Sequence, residues 1–192
     1  WAGAVFAQSK PPVLIGWLSN TSRTTGGREL TAFKEGMAAL GWKENANYVL
    51  EVRWADGRLD RLPSLAQELT ARKPTIIVAR AIAAVIAAAK AAPNTPVVQV
   101  GGGSAVTLGL AKSLARPGGM VTGATNIASE VSEKYLELLL AAAPKLKRIG
   151  FLVDSTTATA YGAKTARRTA EHYRIEARFA EVHVDAEPAQ AG

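Results

Sequence analysis

A set of short polar or glycine-rich stretches stands where this chain could hold a small molecule: Ser19-Asn20-Thr21, Arg80-Ala81-Ile82, Gly102-Gly103-Ser104, Asn126, and Asp154-Ser155-Thr156. Each follows an apolar, strand-like run. In an open parallel sheet ligands dock at the carboxyl ends of the strands, where the loops diverge. Glycines at 102 and 103 let backbone N–H groups approach a ligand, and the start of a following helix favours a carboxylate. Arg80 is either a bidentate partner for an anion or a solvent-facing strand end. The glycine stretch is either a ligand loop or a plain tight turn. Asp154 could receive an ammonium or cap the next helix, as Asp commonly does. Tyr161 could stack on a ligand ring or pack within its own helix.

Catalytic chemistry finds little vocabulary. A dinucleotide fingerprint needs its glycines after the first strand, but Gly101-Gly102-Gly103 follows the fourth. There is no phosphate-loop motif ending in Gly-Lys-Ser/Thr. Gly102-Gly103-Ser104-Ala105-Val106 starts like a nucleophile elbow and ends on Val instead of Gly. With two histidines and no cysteine, a metal site has few donors to draw on. His172 and His183 fall late in a helix and a strand, ordinary structural places. The expectation is a binding protein that is not an enzyme and carries no cofactor and no metal.

The elements that must position these tips alternate. A continuous apolar run predicts a buried parallel strand at 13–18, and further strands are expected at 48–54, 75–79, 96–100 and 121–125. Between them, Leu30, Phe33, Met37 and Leu40 form one helical stripe after a loop spanning 19–27. A helix from about Asp60 tolerates Pro63 in its first turn, and an Ala-rich helix covers 83–92. A short helix is expected between the glycine loop and Leu114. Ser113-Leu114-Ala115-Arg116-Pro117-Gly118-Gly119-Met120-Val121-Thr122-Gly123 then closes this first α/β unit with a Pro-Gly-Gly turn. Beyond it the pattern restarts: a helix at 129–143, a strand at 149–153, a helix at 158–173 and a strand at 176–184. Alternating strands and helices imply a doubly wound sheet with right-handed crossovers. The expected organisation is a remnant and linker at 1–10, an N-terminal lobe at 11–126, and the start of an incomplete second lobe at 127–192.

Of the 192 residues, 48% are hydrophobic and 20% charged, as in ordinary globular proteins. No run approaches the roughly 18–20 apolar residues needed to span a bilayer. Residues 1–7 are apolar, and Val5-Phe6-Ala7 suits signal-peptidase cleavage, so the stretch reads as the tail of a secretory signal; a frayed terminus is the alternative. The net charge of +7 draws on Lys145, Lys147, Arg148, Lys164, Arg167, Arg168, Arg174 and Arg178. Without interleaved stacking aromatics this is a solvated face and not a nucleic-acid surface.

Phe33-Lys34-Glu35-Gly36-Met37-Ala38-Ala39-Leu40-Gly41-Trp42, Tyr48–Trp54, Asp60-Arg61-Leu62-Pro63, 69–79 and above all 113–123 resemble the substrate-binding proteins of a bacterial ABC transporter family with tryptophan- and tyrosine-type members. The resemblance runs from about Val13 to Val184. It implies a type I periplasmic binding fold of two Rossmann-like lobes with parallel sheets, closing on a ligand between them. It also implies export to the periplasm, an amino acid or an aromatic or organic solute as cargo, and delivery to an ABC permease and its ATPase, with no insertion of this chain into the membrane. The chain departs from the family where Ala81-Ile82 replaces a common Gly-Thr and Ser104-Ala105 a common Asp-Pro. Met120 replaces a common Asn, and the His-Pro of tryptophan-type members is missing from 19–27. These departures imply an altered ligand preference. A ligand-sensing domain of a regulator or receptor with the same bilobal fold is the rival; a nucleotide-dependent enzyme is the third reading.

Overall fold

The computed structural model describes residues 11–125, 132–154 and 157–182. The signal-like stretch at 1–10 lies outside them. Five strands form a first parallel sheet in the order β2-β1-β3-β4-β5: β1 (Val13–Ser19), β2 (Tyr48–Trp54), β3 (Ile76–Arg80), β4 (Val97–Val100) and β5 (Val121–Ala124). The apolar run of β1 suits its interior place, paired with β2 through Trp17↔Val52 and with β3 through Trp17↔Val78. The non-sequential order arises because each crossover helix returns the chain to one edge or the other of the growing sheet.

Both faces of that sheet are covered. Helix α1 (Arg23–Ala39) lays Leu30, Phe33 and Met37 on Ile15, Trp17, Tyr48 and Val78. The Trp17 and Phe33 rings meet at 5.4 Å, tilted by 50°. On the other face, α2 (Leu62–Ala71), entered through a 3₁₀ turn at Leu59–Arg61, brings Leu62, Leu65 and Leu69 against Leu18, Ile77 and Ala79. Helix α3 (Ala81–Ala91) joins them with Ile82, Val85 and Ala88. Gly123 is required where β5 meets β4, since a Cβ there would collide with the Gln99 carbonyl oxygen.

Beyond shifts of a residue or two at strand ends, the first unit departs from expectation at three segments. Helix α1 begins at Arg23, inside the span expected to be loop. Ser22 caps it: Ser22 Oγ accepts from the Thr25 amide at 3.3 Å, and the Ser22 amide donates to Thr25 Oγ1 at 3.3 Å. Helix α3 begins at Ala81 with no loop before it, Ala81 itself standing at φ 64°. The short helix expected before Leu114 is absent. The segment forms turns instead, because Gly109 takes φ 70°, which a right-handed helix cannot accommodate. The Ser113–Gly119 stretch is a built turn, with the Arg116 amide on Ser113 Oγ at 3.0 Å and the Lys112 amide on the Pro117 carbonyl at 2.8 Å.

The second unit has helices α4 (Ser132–Ala142) and α5 (Thr157–His172) beside strands β6 (Arg148–Asp154) and β7 (Glu176–Val182), paired in parallel through Phe151↔Phe179. Leu136, Ala170 and Ile175 form its buried cluster. Phe151 and Phe179 stack at 4.9 Å, and the Arg167 guanidinium lies 4.0 Å over the Phe179 ring.

Candidate functional site

The carboxyl ends of β1, β3 and β4 bring three of the expected stretches together. Adjacent β1 and β3 are in register at Ser19↔Arg80, and β3 and β4 at Arg80↔Val100. The polar tips that follow these strands are therefore neighbours. Sheet register alone dictates that.

Ser19 ends β1 fully buried, its Oγ 2.9 Å from Thr21 Oγ1 and accepting the Thr21 amide at 3.3 Å. Its hydroxyl stiffens the tip. Asn20, half-buried, accepts a hydrogen bond at Oδ1 from Arg80 Nη1 at 3.2 Å. Arg80 also donates through Nε (3.2 Å) and Nη2 (2.9 Å) to Glu29 Oε1 on α1. The guanidinium side chain retains 26% of its exposure, so this pair sits at the rim and not in the core. The backbone amide of Glu29 and then the Arg80 guanidinium hold the Glu29 carboxyl below the usual carboxylate range, against the opposing pull of burial. Its second oxygen, Oε2, is out of contact with solvent and has no hydrogen-bond partner among the described residues.

Arg80 is the N-cap residue of α3, and no side chain caps the helix start; its first turn holds no acidic residue. Ala81 and Ile82 are its first residues. The Ile82 side chain turns into the core at 2% exposure, leaving the backbone at that position.

The glycine stretch is a braced loop. Gly101 and Gly102 take φ 66° and 82°, and a Cβ on Gly102 would stand 2.8 Å from the Ile82 nitrogen, so only glycine lets the loop close over the start of α3. Gln99, 3% exposed on β4, donates Nε2 to the carbonyls of Gly101 (2.9 Å) and Gly103 (2.6 Å). Thr125 Oγ1 donates to the Gly102 carbonyl at 2.9 Å. Ser104 is buried, its Oγ accepting the Thr107 amide at 3.4 Å.

Asn126 and Thr156 lie outside the described residues. Asp154 ends β6 and Tyr161 falls within α5, and their side chains also lie outside them. The structure thus joins Ser19, Asn20, Arg80, Ala81, Ile82, Gly102, Gly103 and Ser104 at one rim. Sequence reading missed Glu29 and Gln99. A signal existed for each: Glu29 shares the helical face of Phe33 and Met37 at four-residue steps, and Gln99 interrupts the apolar Val97-Val98-Gln99-Val100 run of an interior strand. Among the described residues, no three His, Cys, Asp or Glu side chains gather as a metal site, and no helix is long and apolar enough to cross a membrane.

Known proteins share this architecture. The chain is 28% identical over 124 residues to a tyrosine-binding protein of Clostridioides difficile (strain R20291), an alignment covering 65% of this chain and 35% of that one. A Streptococcus pneumonia ABC domain solved with L-Trp superposes with a TM-score of 0.70 at 23% identity, covering 90% of this chain and 58% of that structure. A solute-binding protein of an ABC transporter from R. palustris, solved with benzoate, superposes with a TM-score of 0.70 at 13% identity, covering 92% and 50%. The chain therefore spans only part of the length of each of these proteins, and the fold they share is that of type I periplasmic binding proteins. Residues 25–187, most of the chain, match the model of the ABC transporter substrate binding protein family, and to that family this chain belongs.

Proposed function

We propose that the protein is the solute receptor of an ABC importer. Residues 11–126 form one jaw and the unit beginning at 127 contributes to the other. A small molecule, an amino acid or an aromatic or organic solute, binds at the rim where Asn20, Arg80 and the Gly102–Ser104 loop converge. The protein carries out no chemistry. Binding stabilises a closed state that docks on the permease and its ATPase in the periplasm.

The observation that carries this reading is the direct bond between tips of different strands, Arg80 to Asn20 at 3.2 Å, beside a glycine loop braced by Gln99. A polar rim held rigid by buried groups is what a receptor needs for selective binding without ordering cost. The ligands in the related structures, tryptophan and benzoate, support a cargo of that size. The expected outcome is a saturable rise in the melting temperature of the full-length protein with one or more solutes among amino acids, aromatic acids and small organic acids. A screen in which none shifts the transition removes the proposal.

A further inference from the structure

We infer that Thr125 and Gln99 are positioning residues: together they clamp the glycine loop of the rim to the strand that leads out of the first unit, so that loop and crossover move as one body. The inference rests on the receptor reading above and adds to it the route by which an occupied rim acts on the hinge. Both side chains act through the loop.

Side chains from the sheet hold the loop's backbone. The carbonyls of three consecutive glycines accept hydrogen bonds: Gly101 and Gly103 from Gln99 Nε2, at 2.9 and 2.6 Å, and Gly102 from Thr125 Oγ1 at 2.9 Å. Gln99 uses both of its amide N–H groups in this way. It is 3% exposed on β4, an interior strand, where a polar group costs free energy unless it is bonded. Turning the chain does not require these bonds, since glycine adopts the φ of 66° and 82° at Gly101 and Gly102 without strain. What they add is a fixed shape.

The loop so held touches two elements. On one side Gly102 lies against the start of α3, where a Cβ would stand 2.8 Å from the Ile82 nitrogen, two residues from Arg80. On the other, the Gly101 amide donates to the Ala124 carbonyl at 3.0 Å, and Thr125 is the next residue. Gln99 stands opposite Gly123 in the β4–β5 register, and Gly123 takes φ 134° where β5 approaches it closely. The described residues stop at 125 and resume with α4 of the second unit. The crossover therefore leaves the first unit from a residue bonded to the rim loop. Hinges are built from a few residues at element ends that absorb a backbone change. A hinge bonded to the binding loop is biased by whatever occupies that loop, and the bias is reciprocal.

Thr125→Val removes the hydroxyl and keeps the shape of the side chain, whereas Thr125→Ser keeps the hydroxyl. The chain has no cysteine, so Glu35→Cys on α1 and Glu171→Cys on α5, both exposed, can carry nitroxide labels in the full-length protein. Pulsed electron–electron resonance should show a wider spread of inter-label distances in Thr125→Val than in the parent, and the parent's spread again in Thr125→Ser. Calorimetric titration with L-tryptophan, L-tyrosine and benzoate should show about a two- to tenfold loss of affinity in Thr125→Val for whichever binds most tightly, the worth of one neutral hydrogen bond. Gln99→Met strips the donors from two carbonyls at similar volume and should lose about tenfold or more. Unchanged distances in a folded Thr125→Val, or unchanged affinity for a solute that binds, overturn the inference and leave the receptor reading intact. So does a Thr125→Ser that behaves like Thr125→Val, or a lower melting temperature with unchanged distances, the mark of a residue that only supports the fold. If none of the three solutes binds, the distances still decide the clamp, and that result bears on the receptor reading alone.

Discussion

The two sheets of this protein are built from the same kind of βα unit and reach different ends. In the first, β1 lies between parallel neighbours with helices on both faces, and Trp17, Leu18, Ile77 and Leu69 are fully buried. In the second, both helices serve one cluster, and the paired strands turn Arg148, Gly150 and Leu152 of β6 and Glu176, Arg178 and Ala180 of β7 outward. Leu152 is 77% exposed, and Tyr135 and Leu138 on α4 are 65% and 56% exposed. A parallel sheet is stable when both faces are covered, because its strands are apolar on both sides. The comparison teaches where rigidity can reside: the tips gathered at Arg80 grow from the covered sheet, and a rim that must hold its geometry needs such a base.

The largest effect should come from setting the two sheets against each other. Leu69→Ala, at the buried heart of α2, should cost about 2–5 kcal/mol in urea unfolding, whereas Leu152→Ala should stay within about 0.5 kcal/mol. Equal costs would mean that the outer face of β6 is covered in solution. The contrast would then be wrong.

A smaller effect sharpens the account of the covered sheet. Ala81 holds a left-handed φ of 64° at the junction of β3 and α3, a conformation that strains a side chain with a Cβ. Ala81→Gly should stabilise the protein by about 0.5–1 kcal/mol in the same measurement. A loss of stability would show that the methyl group packs well enough to outweigh its strain.

The smallest effect is one of pH. The Glu29 carboxyl is held below its ordinary range by its own backbone amide and by Arg80, so its folded pKa lies below its unfolded one. Such a group stabilises the fold above the unfolded pKa, and that contribution disappears as pH falls through the folded value. Melting temperatures followed from neutral to acid pH should therefore fall less steeply in Glu29→Gln than in the parent. Asp60, held low by Arg58, supplies a parallel acid response in both proteins, so the test is the difference between the two curves.

Much of the fold was legible in the residues. The strand expected at 48–54 is β2, whose Tyr48, Val49, Leu50, Val52 and Trp54 are aromatic, β-branched or aliphatic, with Glu51 and Arg53 interspersed. The helix expected from about Asp60, on the stripe of Leu62, Leu65 and Leu69 with proline in its first turn, is α2, preceded by the 3₁₀ turn at Leu59–Arg61. The expected helix before Leu114 failed on one glycine whose positive φ does not register in hydrophobic periodicity. The start of α1 was misplaced because apolar spacing locates a stripe, whereas the first turn is set by the Ser22 cap.

At the site, sequence alone determined which residues occupy the strand ends. Glycine at 102, arginine at 80 and asparagine at 20 follow apolar runs, and local preference suffices to place a strand and the turn that ends it. What Arg80 does there was decided only in three dimensions. Its partner Glu29 is 51 residues away and Asn20 is 60 away, on elements that become neighbours because β1 lies between β2 and β3 and α1 crosses one face. Strand order and helix rotation depend on the burial of the whole core. No local pattern encodes them, so whether an arginine stays open to solvent or already holds a carboxylate is settled only when that core has closed.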